Sequence, residues 1–173
     1  MNSDVPDKRL RDLLRVLGRL TEQHFELRTA IEGKVERMRS GHVDGLQNAT
    51  RHERALIESI AEQEGLRRKL MDAIGRGFGI SPQAARGMSA RQLAERLAGP
   101  PQTRLLEAAG RLKKAAAAVS EVNQIATLIA QQVLHHLRCV FQAVATCDQP
   151  PDTYTPRGTL QLVPTRRLFE MTG

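Results

Sequence analysis

Few residues in this chain have the type and spacing that chemistry requires. The run HHLRC, residues 135–139, sets His136 three positions before Cys139 on one helical face, beside His135, a geometry that supplies half of a zinc site. The other half is missing from the sequence. Cys147 lies two turns further on, and His24, His42 and His52 are remote, so the reading is packed helix residues and no bound metal or cofactor. GRGFGIS, residues 75–81, has the glycine count of a phosphate loop, but no strand precedes it and no Gly-Lys-Ser/Thr or complete GxGxxG follows. It reads as a connector. No serine, histidine and acidic set suggests a nucleophile, so the chain is not expected to be an enzyme.

The formal charge of +7 raises a different chemistry, phosphate neutralisation. Its distribution is uneven: residues 1–64 hold 11 Lys/Arg against 12 Asp/Glu, residues 65–120 hold 11 against 3, and residues 121–173 hold 4 against 4. That basic middle contains one aromatic, Phe78, on which a base could stack, and spreads its cations over several elements instead of one recognition helix. A solvated basic surface or an acidic protein partner fits better than nucleic acid, which stays as the second reading.

The elements that would carry these residues are helical. Aromatics make up 3% of the 173 residues, there is no Trp, and Ala, Leu, Arg, Glu and Gln dominate, a composition for helices and against sheets. The fold class expected is all-α. Leu10, Leu13, Leu17, Leu20, His24, Leu27, Ile31, Lys34 and Met38 alternate spacings of three and four, with Leu14, Phe25 and Val35 widening the stripe. SGHVDG, residues 40–45, interrupts this pattern, and a second seam follows: Leu46, Ala49, Glu53, Leu56, Ile60, Gln63, Arg67, Leu70, Ile74, flanked by Ile57 and Leu66. Gly41 can end the first helix in the left-handed region, and Asp44 with Gln47 can cap the second. So short a break between two long helices predicts an antiparallel hairpin; a kinked continuous helix is the rival.

Residues 75–101 are punctuated by glycine and proline and carry two further helix starts, Ser81-Pro82 and a capping box of Ser89 with Gln92 stapled by Met88 and Leu93. Gly99-Pro100-Pro101 should close the second. The last long helix, from about Thr103 to Cys147, shows the seam Leu105, Ala109, Leu112, Ala116, Val119, Asn123, Ala126, Ala130, Val133, Leu137, Val140, Val144, with Ile125, Leu128, Ile129 and Phe141 outside that line. It would run roughly 65 Å against about 50 Å for the first helix, leaving part of its apolar surface without an internal neighbour. Cys139 and Cys147, eight apart, are expected as reduced core thiols.

The expected architecture is therefore a long antiparallel hairpin plus a third long helix in an elongated bundle, with short connecting helices. Its helices cover about residues 6–40, 44–75, 81–98 and 103–147. Residues 1–147 make one domain, and residues 148–173, rich in proline, make an extended or disordered tail. No run approaches the roughly 18 to 20 apolar residues of a membrane span, and the first residues lack the apolar core of a secretory signal, so a cytoplasmic location without membrane insertion is expected.

The order of these pieces resembles the FlgN-type flagellar export chaperones. The break and restart SGHVDGLQNATRHERALIESI, the short MSARQLAERL helix, the long helix with VNQIATLIAQQVLHHL and the tyrosine-containing TYTPRG carry the resemblance over nearly the whole chain. It rests on Asp44 and Leu46, Glu53 and Leu56, Asn123 and Leu128, and Tyr154 with Gly158. The resemblance implies a cytoplasmic helical chaperone that binds hook-filament junction proteins, prevents their early assembly and presents them to the flagellar export gate, with no chemical step. Residue by residue, Ile125, Ile129, Val133, Leu137, Val140 and Val144 are the expected client contacts, because an over-long apolar helix offers a groove for a partner's amphipathic helix. By resemblance, Tyr154 is the expected export-gate contact. A self-associating coiled-coil protein, dimeric through the surplus seam, is the remaining alternative.

Overall fold

The structure, a computed structural model, describes residues 4–42 and 44–147. The described residues are helical and contain no strand: α1 (Asp4–Arg39), α2 (Leu46–Gly77), α3 (Pro82–Gly87), α4 (Ala90–Ala94) and α5 (Pro100–Cys147). The chain divides into two units, residues 1–131 and residues 132–173, with the boundary inside α5.

In the first unit α1 and α2 form the antiparallel hairpin. Leu10 and Leu13 at the start of α1 share a buried cluster with Met71 and Ile74 at the end of α2, while Ile31 and Val35 cluster with Leu56. Hydrogen bonds across the pair keep the same register: Arg9 donates to the Ala73 carbonyl at 3.1 Å, and the Gln23 amide donates to Ser59 Oγ at 2.6 Å. A continuous kinked helix would separate these residues by the length of both helices.

Glycine conformation makes the reversal. Gly41 sits at φ +70°, and the His42 N–H bonds back to the Arg37 carbonyl at 3.0 Å, the six-to-one bond of a Schellman end. The restart differs from the expected one. Gly45, also left-handed at φ +80°, is the N-cap, its carbonyl accepts from the Ala49 N–H at 2.9 Å, and no side chain caps the helix. Asp44 is therefore one position too early to reach the first free amides, and Gln47 is the second helical residue instead of the capping-box third.

The same device resolves GRGFGIS. Gly79 is left-handed at φ +74°, and the Ile80 N–H donates to the Gly75 carbonyl at 3.1 Å, so this glycine run is the end of α2. Ser81 Oγ accepts weakly from the Ala84 N–H at 3.4 Å as α3 begins. The capping box on α4 forms as expected: Ser89 N–H donates to Gln92 Oε1 at 2.8 Å and Gln92 N–H to Ser89 Oγ at 3.2 Å. Leu93, fully buried, anchors this short helix in the cluster of Leu10 and Ile74, with Met88 packed against it. Pro100 then opens α5, three residues before the expected start, because proline's fixed φ suits a first helical position.

Within the first unit α5 runs parallel to α1. Leu105 and Ala108 join the cluster of Leu10, Leu13 and Leu17, whereas Ala126 joins that of Leu27, Ile31 and Val35. The packed line is Leu105, Ala108, Leu112, Ala115, Val119, Val122, Ala126, Ile129, which keeps the expected sevenfold repeat but takes the other member of four adjacent pairs, Ile129 in place of Ala130 being the last. Ala108 and Ala115 turn inward instead of Ala109 and Ala116, and Val122 packs while Asn123 is exposed. The last exchange has a simple cause, since burying a valine stabilises the contact and burying an unpaired amide costs roughly 1–3 kcal/mol.

Other seam assignments shift outward. Phe25, Ile57 and Leu66 are exposed, so the stripe is narrower at those points than the sequence pattern. Of the polar seam residues, His24 hydrogen-bonds the Leu20 carbonyl of its own helix, and Lys34 and Glu53 meet as an ion pair across the hairpin with side chains only 19% and 14% exposed.

Candidate partner-binding face on the last helix

In the second unit the described residues are the end of α5. Its apolar positions keep the intervals that put side chains on one face: Val133, Leu137, Val140 and Val144, with Leu134 and Phe141 alongside. The reverse side carries Gln132, His135, Arg138, Cys139 and Gln142, so the segment is amphipathic. An amphipathic helix normally hides its apolar side. Here every residue from 134 to 145 is exposed, with Leu134 at 56%, Phe141 at 67% and Val144 at 60%. Only Val133 is half-buried.

The energetic meaning follows from area. A large aliphatic or aromatic side chain gains roughly 1.5–3 kcal/mol on complete burial, so covering five such side chains that are about half exposed is worth on the order of 5 kcal/mol before the costs of association. Contiguous apolar surface of this kind is found on soluble helices mainly where something docks. The chemistry available to it is non-covalent: intervals of three, four and seven fit a second helix lying alongside.

The six expected contact residues are distributed over both units. Val133, Leu137, Val140 and Val144 lie in the second. Ile125 and Ile129 lie in the first, where Ile125 is 41% exposed and Ile129 packs against the cluster of Leu27, Ile31 and Ala126. Leu134 and Phe141 were not among the six, although their spacing places them beside Leu137 and Val140. Tyr154 lies outside the described residues.

Cys139 is exposed, contrary to the core thiol expected, because the segment that carries it has no core. The Cys147 side chain lies outside what is described. Cys139 Sγ stands 3.7 Å from His135 Nε2 one turn away, and among the described residues no group of three His, Cys, Asp or Glu is placed to hold a metal. The hairpin tip in the first unit has an open cleft of about 890 Å³ between Phe25, Thr29 and Gly33 of α1 and the N-cap Gly45 with Asn48 and His52 of α2. Its lining mixes Glu26, Arg37 and His52 with small residues and presents no convergent polar set. No helix among the described residues is long and apolar enough to cross a membrane.

Comparison with protein families matches residues 7–161 to the family described as FlgN protein. Comparisons with curated proteins and with solved structures give no match. The family match spans the hairpin, the short helices and all of α5, the elements on which the resemblance rests. The chain belongs to the FlgN family, a family of flagellar export chaperones and not of enzymes.

Proposed function

We propose that this chaperone binds the helical terminal segments of hook-filament junction proteins in the cytoplasm, keeps them from assembling early and delivers them to the export gate. The observation that carries the reading is the apolar face at the end of α5, where half-buried Val133 is followed by exposed Leu134, Leu137, Val140, Phe141 and Val144. A client helix with apolar residues at matching intervals would cover that face and be denied its own coiled-coil partner while bound. Binding of this type is reversible and needs no cofactor.

In this reading α1 and α2 are scaffold. Ile129 holds α5 to the scaffold through its packing, and Ile125 contributes an exposed first-unit contact. Tyr154, with the tail that carries it, meets the export gate.

The test is capture of a junction protein's helical terminal segment by the purified chain. Val140→Asp and Phe141→Asp should each abolish capture while leaving the helical circular dichroism unchanged, since a carboxylate forced into an apolar contact is unpaired there. Retained capture in both variants would refute this face as the client site. Removal of residues 148–173 should spare capture and reduce secretion of the client; full secretion by the shortened chain would refute the role given to Tyr154.

A further inference from the structure

The start of α1, the end of α2, α4 and the start of α5 meet around one cluster, that of Leu10, Met71, Ile74, Leu93 and Leu105. Their convergence joins two basic stretches far apart in sequence. Residues 4–15 and 67–114 together hold fifteen Lys/Arg against six Asp/Glu, whereas residues 16–66 and 115–131, the rest of the first unit, hold seven against ten. The bundle is thus electrically polarised, with more than the whole formal charge of +7 at one end. Three of the six carboxylates there already pair with neighbours, Asp12 with Arg15, Asp72 with Arg76 and Glu95 with Arg91. Arg68 and Lys69 of α2, Arg96 in the turn after α4, and Arg104, Lys113 and Lys114 of α5 remain exposed.

We propose that this basic end of the bundle docks on an anionic lipid bilayer surface. The cations come from several elements around one end and so make a diffuse basic field; a reader of nucleic acid concentrates them along one groove or helix with aromatic platforms. A stereospecific acidic protein site would ask for a central apolar anchor ringed by charge. What this end offers instead is two separate apolar side chains among cations. Phe78, 38% exposed, follows Arg76 at the glycine turn that ends α2, and Leu106, 41% exposed, lies one heptad before Lys113 on α5. Scattered apolar side chains in a basic field suit the headgroup layer, where cations meet phosphates and single apolar groups enter the acyl boundary. The binding does not depend on the export reading, which supplies only its use: a chaperone held at the membrane searches for the gate in two dimensions.

Flotation of the full chain with vesicles is the test, using phosphatidylcholine alone or phosphatidylcholine mixed with phosphatidylglycerol. Binding is expected only with phosphatidylglycerol and should vanish at high salt. The triple variant Lys69→Gln, Lys113→Gln, Lys114→Gln should weaken it by about fivefold for each cation, roughly a hundredfold in all. The control Arg39→Gln, Arg51→Gln, Arg54→Gln removes equal charge from exposed positions near the hairpin tip and should leave binding unchanged. Circular dichroism establishes that both variants fold, and Phe78→Ala tests the apolar contribution with the charge intact. No flotation at low salt, or equal loss in the two triple variants, overturns the proposal. So does displacement from vesicles by single-stranded RNA at lower concentration than by soluble phosphatidylglycerol, which would assign the surface to nucleic acid. None of these measurements contains a client, so their failure leaves the client face standing.

Discussion

If the end of α5 is a docking face and not core, truncating its largest side chain should cost almost nothing, while truncating a scaffold leucine should cost several kcal/mol. Leu20 is fully buried in α1, and Leu20→Ala removes its side chain from close packing, for which about 2.7–5 kcal/mol is the measured range at comparable sites. Phe141 is 67% exposed. Complete burial of such a ring is worth roughly 3 kcal/mol, so the third that is covered amounts to about 1 kcal/mol, and alanine's better helix propensity returns roughly 0.5 kcal/mol of it. Urea titrations followed by circular dichroism should therefore separate the two variants by at least about 2 kcal/mol. A loss for Phe141→Ala equal to that for Leu20→Ala would refute the reasoning and place the ring in a packed interface. If that loss also grew with protein concentration, the interface would be with a second copy of the chain.

Three further outcomes follow from the scaffold. Lys34→Ala leaves the half-buried Glu53 carboxylate without its partner and should destabilise by about 1–3 kcal/mol, whereas Lys34→Met with Glu53→Leu should recover most of that loss in the same titration. Ser89→Ala removes the hydroxyl arm of the capping box on α4, which accepts from the Gln92 N–H, while the backbone arm to Gln92 Oε1 remains; it should cost about 1 kcal/mol, read as faster amide exchange at Gln92 and Leu93. Gly45→Ala forces a left-handed backbone on an L residue and should lower stability by about 1–2 kcal/mol, although open space surrounds the position.

Those three sites also mark what the sequence could and could not reveal. The Ser89 box was legible because both partners are polar, local and at fixed spacing. The hairpin was legible because two seams of the same period flank a break too short for anything but reversal. Gly45 was misread in favour of Asp44, since an acidic residue before an apolar run is the commoner cap and nothing local says that a glycine will take a positive φ. On α5 the repeat was correct and the choice within adjacent pairs was not. Ala108 and Ala109 are chemically equal, and only the direction from which α1 and α2 approach decides between them. Val122 against Asn123 could have been chosen by hydrophobicity alone.

Of the candidate client face, the surplus of apolar residues on α5 was visible as a helix longer than its neighbours. Which of them stay exposed was not: Ile129, outside the expected seam, packs against the cluster of Leu27 and Ile31, whereas Val140, on that seam, is exposed. The basic end was half visible. The excess in residues 65–120 could be counted, but the contribution of Lys8, Arg9, Arg11 and Arg15 requires the hairpin that brings the start of α1 beside the end of α2.

The central claim is that a client helix covers the end of α5, and amide hydrogen exchange on the chain with and without a junction protein's terminal segment tests it most directly. The account predicts new protection concentrated in residues 133–144, with the amides around Leu13, Leu20 and Ile74 unchanged. Protection confined to the hairpin tip around Phe25, Gly33 and Ala49, with residues 133–144 exchanging as in the free chain, would contradict it.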